Sequence, residues 1–196
     1  MDFNQDKKTL LLESALELIR ENGFHGTPVS MVAKHAGVAA GTVYTYFQSK
    51  DEMIKELYTY VKSHIYLEIS GKDDPSLPFQ ARFYALWENM TDLYLAKPSI
   101  QSFMDQFVSS PYNTSELQQS VDAWGKWLEQ FFLQGIDQGI LRPLSPKILS
   151  VMVIGSIISL VRYLIYFQST SKTMGEDLNL IPQMVWDGIK RQDKRD

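Results

Sequence analysis

Between Thr27 and Lys50 the sequence reads TPVSMVAKHAGVAAGTVYTYFQSK, which supplies hydroxyls at Thr27, Thr42, Tyr44, Thr45 and Tyr46 and ammonium groups at Lys34 and Lys50. No carboxylate interrupts it, although the chain carries 23 Asp and Glu and a formal net charge of −4. Hydroxyls donate to phosphate oxygens and meet base edges or thymine methyls, while lysines neutralise phosphates. A carboxylate pressed against that polyanion would be repelled. The chemistry on offer is recognition of nucleic acid. The same composition would also suit a solvated helical hairpin, since lack of acid permits such a contact without requiring it.

Catalytic chemistry finds little purchase. The chain has three His and no Cys, so no metal-ligand spacing arises, and His25 and His35 lie inside or beside the acid-free stretch. His64 falls in a later helical segment as a solvated or packed residue. There is no G-x-S-x-G, P-loop or G-x-G-x-x-G, and GEDLN lacks the alternating oxygen ligands and distal Glu of a calcium loop. The expectation is a protein that is not an enzyme, with no catalytic residues, metal or cofactor.

The elements that must position these groups are helical throughout, and no alternating strand pattern appears. Leu11, Leu12, Ala15, Leu16, Leu18 and Ile19 recur at helical spacing before a stop at Gly23. Thr27 is placed to cap a second helix opening at Pro28 and ending at Gly37, with Val29, Val32, Ala33 and Ala36 turned inward. A third short helix runs from about Ala39 to Phe47. On a wheel of about 100° per residue, Ala39, Ala40, Val43 and Phe47 share the inner side. Gly41 and Thr45 point away from it, flanked by Tyr44 on one side and by Thr42 and Tyr46 on the other. Helix, turn and helix in this order lay the second helix in a DNA major groove. Ser49 with Glu52 makes a capping box for a fourth helix reaching about Ser70, before the break GKDDPSLP.

Further helical segments follow at about 77–97, 99–108, 115–138, 146–169 and 178–191. The fold expected is all-α: a DNA-binding domain at residues 1–50, a connecting helix at 50–70, and a helical ligand-binding and dimerisation domain at 71–196. With 196 residues, 44% of them hydrophobic, the chain can bury a core in each. The absence of cysteine and of a basic-then-apolar leader suggests a cytoplasmic address. One stretch, Ile148 to Phe167, has Arg162 as its single charge and is long enough to cross a bilayer. A helix apolar on nearly all sides also arises when one face packs inward and the other meets a second subunit. Ser145-Pro146 gives it the start of a soluble helix, so no membrane association is expected. Gly155, Ser156 and Ser159 would allow close approach of a partner.

GFHGTPVSMVAKHAGVAAGTVYTYFQSKDEM resembles the DNA-binding signature of the TetR family of bacterial transcriptional repressors. Thr27, AGV, GT, Tyr44, YF and SK stand at the family's spacing, over about 45 N-terminal residues. The resemblance implies an all-helical homodimer on double-stranded DNA, and the two-fold symmetry of a dimer predicts an inverted-repeat operator. It implies phosphate contacts at Thr27, Tyr44, Tyr46 and Lys50, and base-facing positions at Ala40, Gly41, Thr42 and Thr45. Lys34 joins the phosphate set by its charge. Ala39 departs from the pattern, standing where the family often has a capping Ser or Thr.

For the remainder the resemblance implies a cavity for a small-molecule effector. Aromatic and sulfur side chains crowd there at helical spacing: Phe83, Trp87, Met90 and Tyr94; Phe103 and Phe107; Trp124, Trp127, Phe131 and Phe132. Such stripes equally fill plain cores. Read as a pocket, they take a mostly apolar, aromatic or weakly anionic ligand, oriented by Asn89, Gln106 and above all Arg162. The competing reading is a helical ligand-binding protein that acts through a protein partner instead of DNA.

Overall fold

The computed structural model describes residues 3–115, 117, 122–167 and 178–192. Among them nine helices and no strand occur: α1 (Phe3–Asn22), α2 (Val29–His35), α3 (Ala40–Tyr46), α4 (Lys50–Ser70), α5 (Phe79–Ala96), α6 (Pro98–Val108), α7 (Ala123–Asp137), α8 (Pro146–Phe167) and α9 (Ile181–Ile189). The architecture is all-α, as expected, with one isolated antiparallel bridge between Leu141 and Lys190.

Local chemistry sets the helix ends. Gly23 and Gly37 take φ of +70° and +67°, left-handed backbone that costs a glycine little. There α1 and α2 stop, with the Gly23 N–H on the Ile19 carbonyl at 2.8 Å and the Val38 N–H on the Ala33 carbonyl at 2.9 Å. Pro98 and Pro146 open α6 and α8, where a missing N–H costs nothing. Asp122 caps α7, its Oδ1 accepting from the Gly125 N–H at 2.7 Å. Of the segment expected from Ser115, Ser115 and Leu117 are helical, residues 116 and 118–121 lie outside the described set, and α7 itself starts at Ala123 after the break at Asp122.

The chain divides into two compact units, Met1–His64 with Lys97–Val121, and Ile65–Ala96 with Asp122–Asp196. This differs from a boundary at residue 70, because α6 joins the N-terminal helices. The reason is aromatic. Phe103 meets the edge of Phe24 at 5.8 Å, Phe107 stacks on Tyr58 at 4.3 Å, and Gln106 Nε2 donates to the Ile19 carbonyl at 3.2 Å. Leu11, Ala15, Ile19, Val32, Val43, Phe47, Ile54 and Leu57 complete this buried core.

In the second unit α8 packs against α5, α7 and α9. Leu149, Val153, Ile157 and Val161 of α8 are buried, as are Phe83 and Met90 of α5, Phe131 and Phe132 of α7, and Trp186 and Ile189 of α9. Gly135 lets α7 approach closely, since a Cβ there would stand 2.5 Å from Phe79 Cζ. The outer stripe of α8 stays apolar and exposed: Ile148, Val151 (74% exposed) and Met152, one turn apart, with Gly155, Ser159 and Arg162 continuing the line. Only 22% of its most apolar stretch is buried, and by length and composition alone that stretch could cross a bilayer.

Candidate nucleic-acid interface and effector pocket

Helices α2 and α3 pack on each other across the turn at Gly37. Val32 and Ala33 fix α2 inward, and Val43 is the buried residue of α3, followed by buried Phe47. This anchoring turns the rest of α3 outward. Ala40, Gly41, Tyr44 and Thr45 are exposed, Tyr44 by 59%, while Thr42 and Tyr46 are half-buried. Nothing lies within 4 Å of where a Gly41 Cβ would be, so backbone can approach a surface there. The Thr45 hydroxyl touches the Gly41 carbonyl at 3.4 Å, a long bond that leaves it free to re-aim.

Neither α2 nor α3 has an acid in its first turn. Lys34 is exposed in the last turn of α2 beside exposed His35. His35 and exposed Gln48 are polar groups in the acid-free stretch that the sequence reading did not select. Ala39 takes φ −66° and ψ 143° with no side-chain cap bond, as its apolar side chain dictates.

Two residues depart from their expected roles. Thr27 is fully buried and its hydroxyl donates to the Gly23 carbonyl at 2.8 Å. The N-cap of α2 is Pro28, and α2 has no side-chain cap bond. A buried hydroxyl must find an acceptor for its proton; the start of α2 offers only N–H donors, and the carbonyl at the left-handed Gly23 turn supplies the acceptor. Thr27 thus pins the turn and presents no hydroxyl outward. Lys50 is half-buried, with Nζ donating to the Phe24 carbonyl. One of its three protons is committed there, which ties the start of α4 to the loop after α1. Ser49 Oγ accepts from the Glu52 N–H at 3.1 Å, and the Glu52 carboxylate accepts from the Gln48 N–H, one residue before the position a capping box uses.

The proposed effector residues scatter. Phe103 and Phe107 lie in the core of the first unit. Trp124, Trp127 and Phe131 form a stacked ladder along α7, with centroids 5.6 and 5.4 Å apart. Met90 and Tyr94 are buried on α5, and Arg162 is exposed on α8. Trp87 alone of these borders the cavity of about 490 Å³ in the second unit. Its wall comes from Tyr84, Trp87, Glu88, Thr91 and Asp92 of α5, with Leu160 and Leu164 of α8 and Leu178, Asn179 and Pro182 leading into α9. Tyr84, Glu88, Thr91 and Asp92 were missed by the sequence reading. Their i, i+4, i+7 and i+8 spacing on one helix face was the signal available.

Residues 11–57 match the family described as bacterial regulatory proteins, tetR family, and residues 78–190 match the tetracyclin repressor-like C-terminal domain. The HTH-type transcriptional regulator YhgD of Bacillus subtilis (strain 168) is 25% identical over 158 residues, which are 80% of this chain and 83% of that protein. The crystal structure of a TetR family transcription regulator from Marinobacter aquaeolei VT8 shares the fold, with a TM-score of 0.86 at 22% identity over 98% of this chain and 100% of that one. So does the transcriptional regulator FadR of Bacillus subtilis in complex with stearoyl-CoA, with a TM-score of 0.75 at 21% identity over 92% and 98% of the two chains.

Proposed function

The chain belongs to the TetR family of transcriptional regulators, and from that premise we propose that it is a homodimeric repressor which leaves an inverted-repeat operator when a small molecule occupies its second unit. The observation that carries the DNA-reading half is the outward face of α3, where hydroxyls and an open glycine surround one buried anchor, Val43. Ala40, Gly41, Thr42 and Thr45 are assigned to base edges. Tyr44, Tyr46, Lys34 and the remaining protons of Lys50 are assigned to phosphates. The exposed apolar stripe of α8 supports pairing with a second copy, as do exposed Leu180, just before α9, and Met184 of α9. A two-fold dimer sets its recognition helices about one helical turn apart, roughly 34–36 Å, or somewhat more.

Release requires the ligand to prefer the conformer that fits DNA less well. A coupling of about 1–3 kcal/mol changes DNA affinity about 5- to 150-fold. Helix α4 is the mechanical candidate, because one unbroken helix supplies residues to both units. In support of an effector, the FadR structure named above holds stearoyl-CoA.

Selection of bound duplexes from random DNA tests the reading. Recovery of an inverted repeat is expected, with Thr45→Ala altering the preferred bases and Lys34→Ala weakening all sequences alike and lowering the salt slope by about one. Failure to enrich any sequence at low salt would instead favour action through a protein partner.

A further inference from the structure

The cavity of the second unit has a chemical polarity that its aromatic content conceals. Five residues of α5, Tyr84, Trp87, Glu88, Thr91 and Asp92, supply one wall. Two are aromatic and two are carboxylates, and Leu160 and Leu164 of α8 face them across the space. Its volume of about 490 Å³ suits one compact organic molecule.

Glu88 and Asp92 stand one helical turn apart, a spacing at which like charges repel. No described residue gives either carboxylate a hydrogen bond or ion pair. Both are exposed at the rim, whereas Trp87 is 3% exposed and holds the inner part of the wall. No Lys, Arg or His is among the described residues of the lining. Arg162 shares α8 with Leu160 and Leu164 but sits two positions from each, about 200° round the helix, and is exposed on the other side. The Tyr84 hydroxyl is already engaged, donating to Gln183 Oε1 at 2.6 Å, and the Thr91 hydroxyl donates to the Trp87 carbonyl at 2.9 Å. Among its described residues the wall therefore offers aromatic faces, aliphatic surface and uncompensated negative charge, with little left to donate to an anion.

We propose that this cavity takes an organic cation with an apolar body, its charge at the Glu88–Asp92 rim and its body against Trp87 and the α8 leucines. Aromatic rings attract cations through their quadrupoles, and carboxylates add direct attraction. Two carboxylates without a third ligand do not hold a metal firmly, and no cluster of three His, Cys, Asp or Glu occurs among the described residues. This deepens the effector reading above and rests on it, and it replaces the weakly anionic ligand expected from Arg162.

The test uses the full chain and three probes: tetraphenylphosphonium and tetraphenylborate, nearly equal in shape and opposite in charge, and the smaller neutral triphenylphosphine oxide. Binding is read by calorimetry and by tryptophan fluorescence. The phosphonium is expected to bind at least about tenfold more tightly than the borate. The Glu88→Gln, Asp92→Asn double variant should lose about tenfold in phosphonium affinity, hold the neutral oxide as before, and melt no lower than the parent. Should that variant fold poorly, Thr91→Phe, which fills the cavity without touching the charge, should exclude the phosphonium and the oxide alike. Equal binding of the two ions, or undiminished phosphonium binding by a folded variant, overturns the proposal. If none of the three probes binds while a selected duplex is still retarded, the cavity proposal falls and the DNA reading stands. If the phosphonium binds but no duplex is ever enriched, the reverse holds.

Discussion

Arg82 and Asp73 meet as a two-pronged ion pair, Nε to Oδ1 at 2.8 Å and Nη2 to Oδ2 at 2.7 Å, with 6% and 11% of their side chains exposed. The third arm of the guanidinium donates to Gln134 Oε1 at 3.0 Å, and its Cζ lies 5.2 Å from the Phe131 ring centroid. The break between α4 and α5 is thereby fastened to α7. Arg82→Met strands the Asp73 carboxylate and should cost about 3–5 kcal/mol in urea unfolding, whereas the Arg82→Met, Asp73→Leu pair should recover most of that loss.

Val151 projects from α8 into solvent among Ile148 and Met152. A lysine there places charge in the middle of the stripe assigned to a second copy. Val151→Lys is expected to leave the melting temperature of the subunit close to the parent's, to sediment as a monomer at micromolar concentration, and to lose most affinity for an inverted repeat while keeping weak half-site binding.

Ala39 already has the extended backbone of an N-cap, and only the acceptor is absent. Ala39→Ser should stabilise α3 by about 1 kcal/mol, read as slower amide exchange at Gly41 and Thr42. If DNA contact normally orders this helix, operator affinity should rise as well.

Tyr60 donates to Glu13 Oε1 at 3.0 Å, and burial, assisted by that carboxylate, pushes its phenol up to about 12. In the unfolded chain the same group ionises near pH 10. Its contribution is therefore whole below about pH 10 and is lost as pH climbs through 12. Unfolding free energy measured from pH 9 to 12 should fall less steeply in Tyr60→Phe than in the parent.

Helix ends were legible where a single residue decides them, as at Gly23, Gly37, Pro98 and Pro146, because left-handed backbone and a missing N–H are local properties. Most of the outward set on α3 was legible for the same reason, since Val43 and Phe47 orient so short a helix, but Ala39 and Ala40, expected on the inner side, are exposed because the helix begins there and nothing packs over its first turn. Thr27 was not, because tertiary burial turns its hydroxyl inward to donate to the Gly23 carbonyl, where the expected role had it outward as a cap and phosphate contact. Phe103 and Phe107 show a correct buried spacing, but periodicity says nothing about which wall a stripe meets, and theirs is Phe24 and Tyr58. On α5 the aromatic positions were read without the acidic ones, so the face shared by Trp87, Glu88 and Asp92 went unseen.

The seat of α6 beside α1 bears on how such regulators can be recombined. A hybrid gene joined at codon 70 would carry Phe24, Tyr58 and the Ile19 carbonyl but leave Phe103, Phe107 and Gln106 with the other parent. The heritable cassette for DNA specificity is consequently two stretches of coding sequence. An exchange of operator preference between relatives must either move both stretches or begin from parents whose α6 surfaces are already interchangeable.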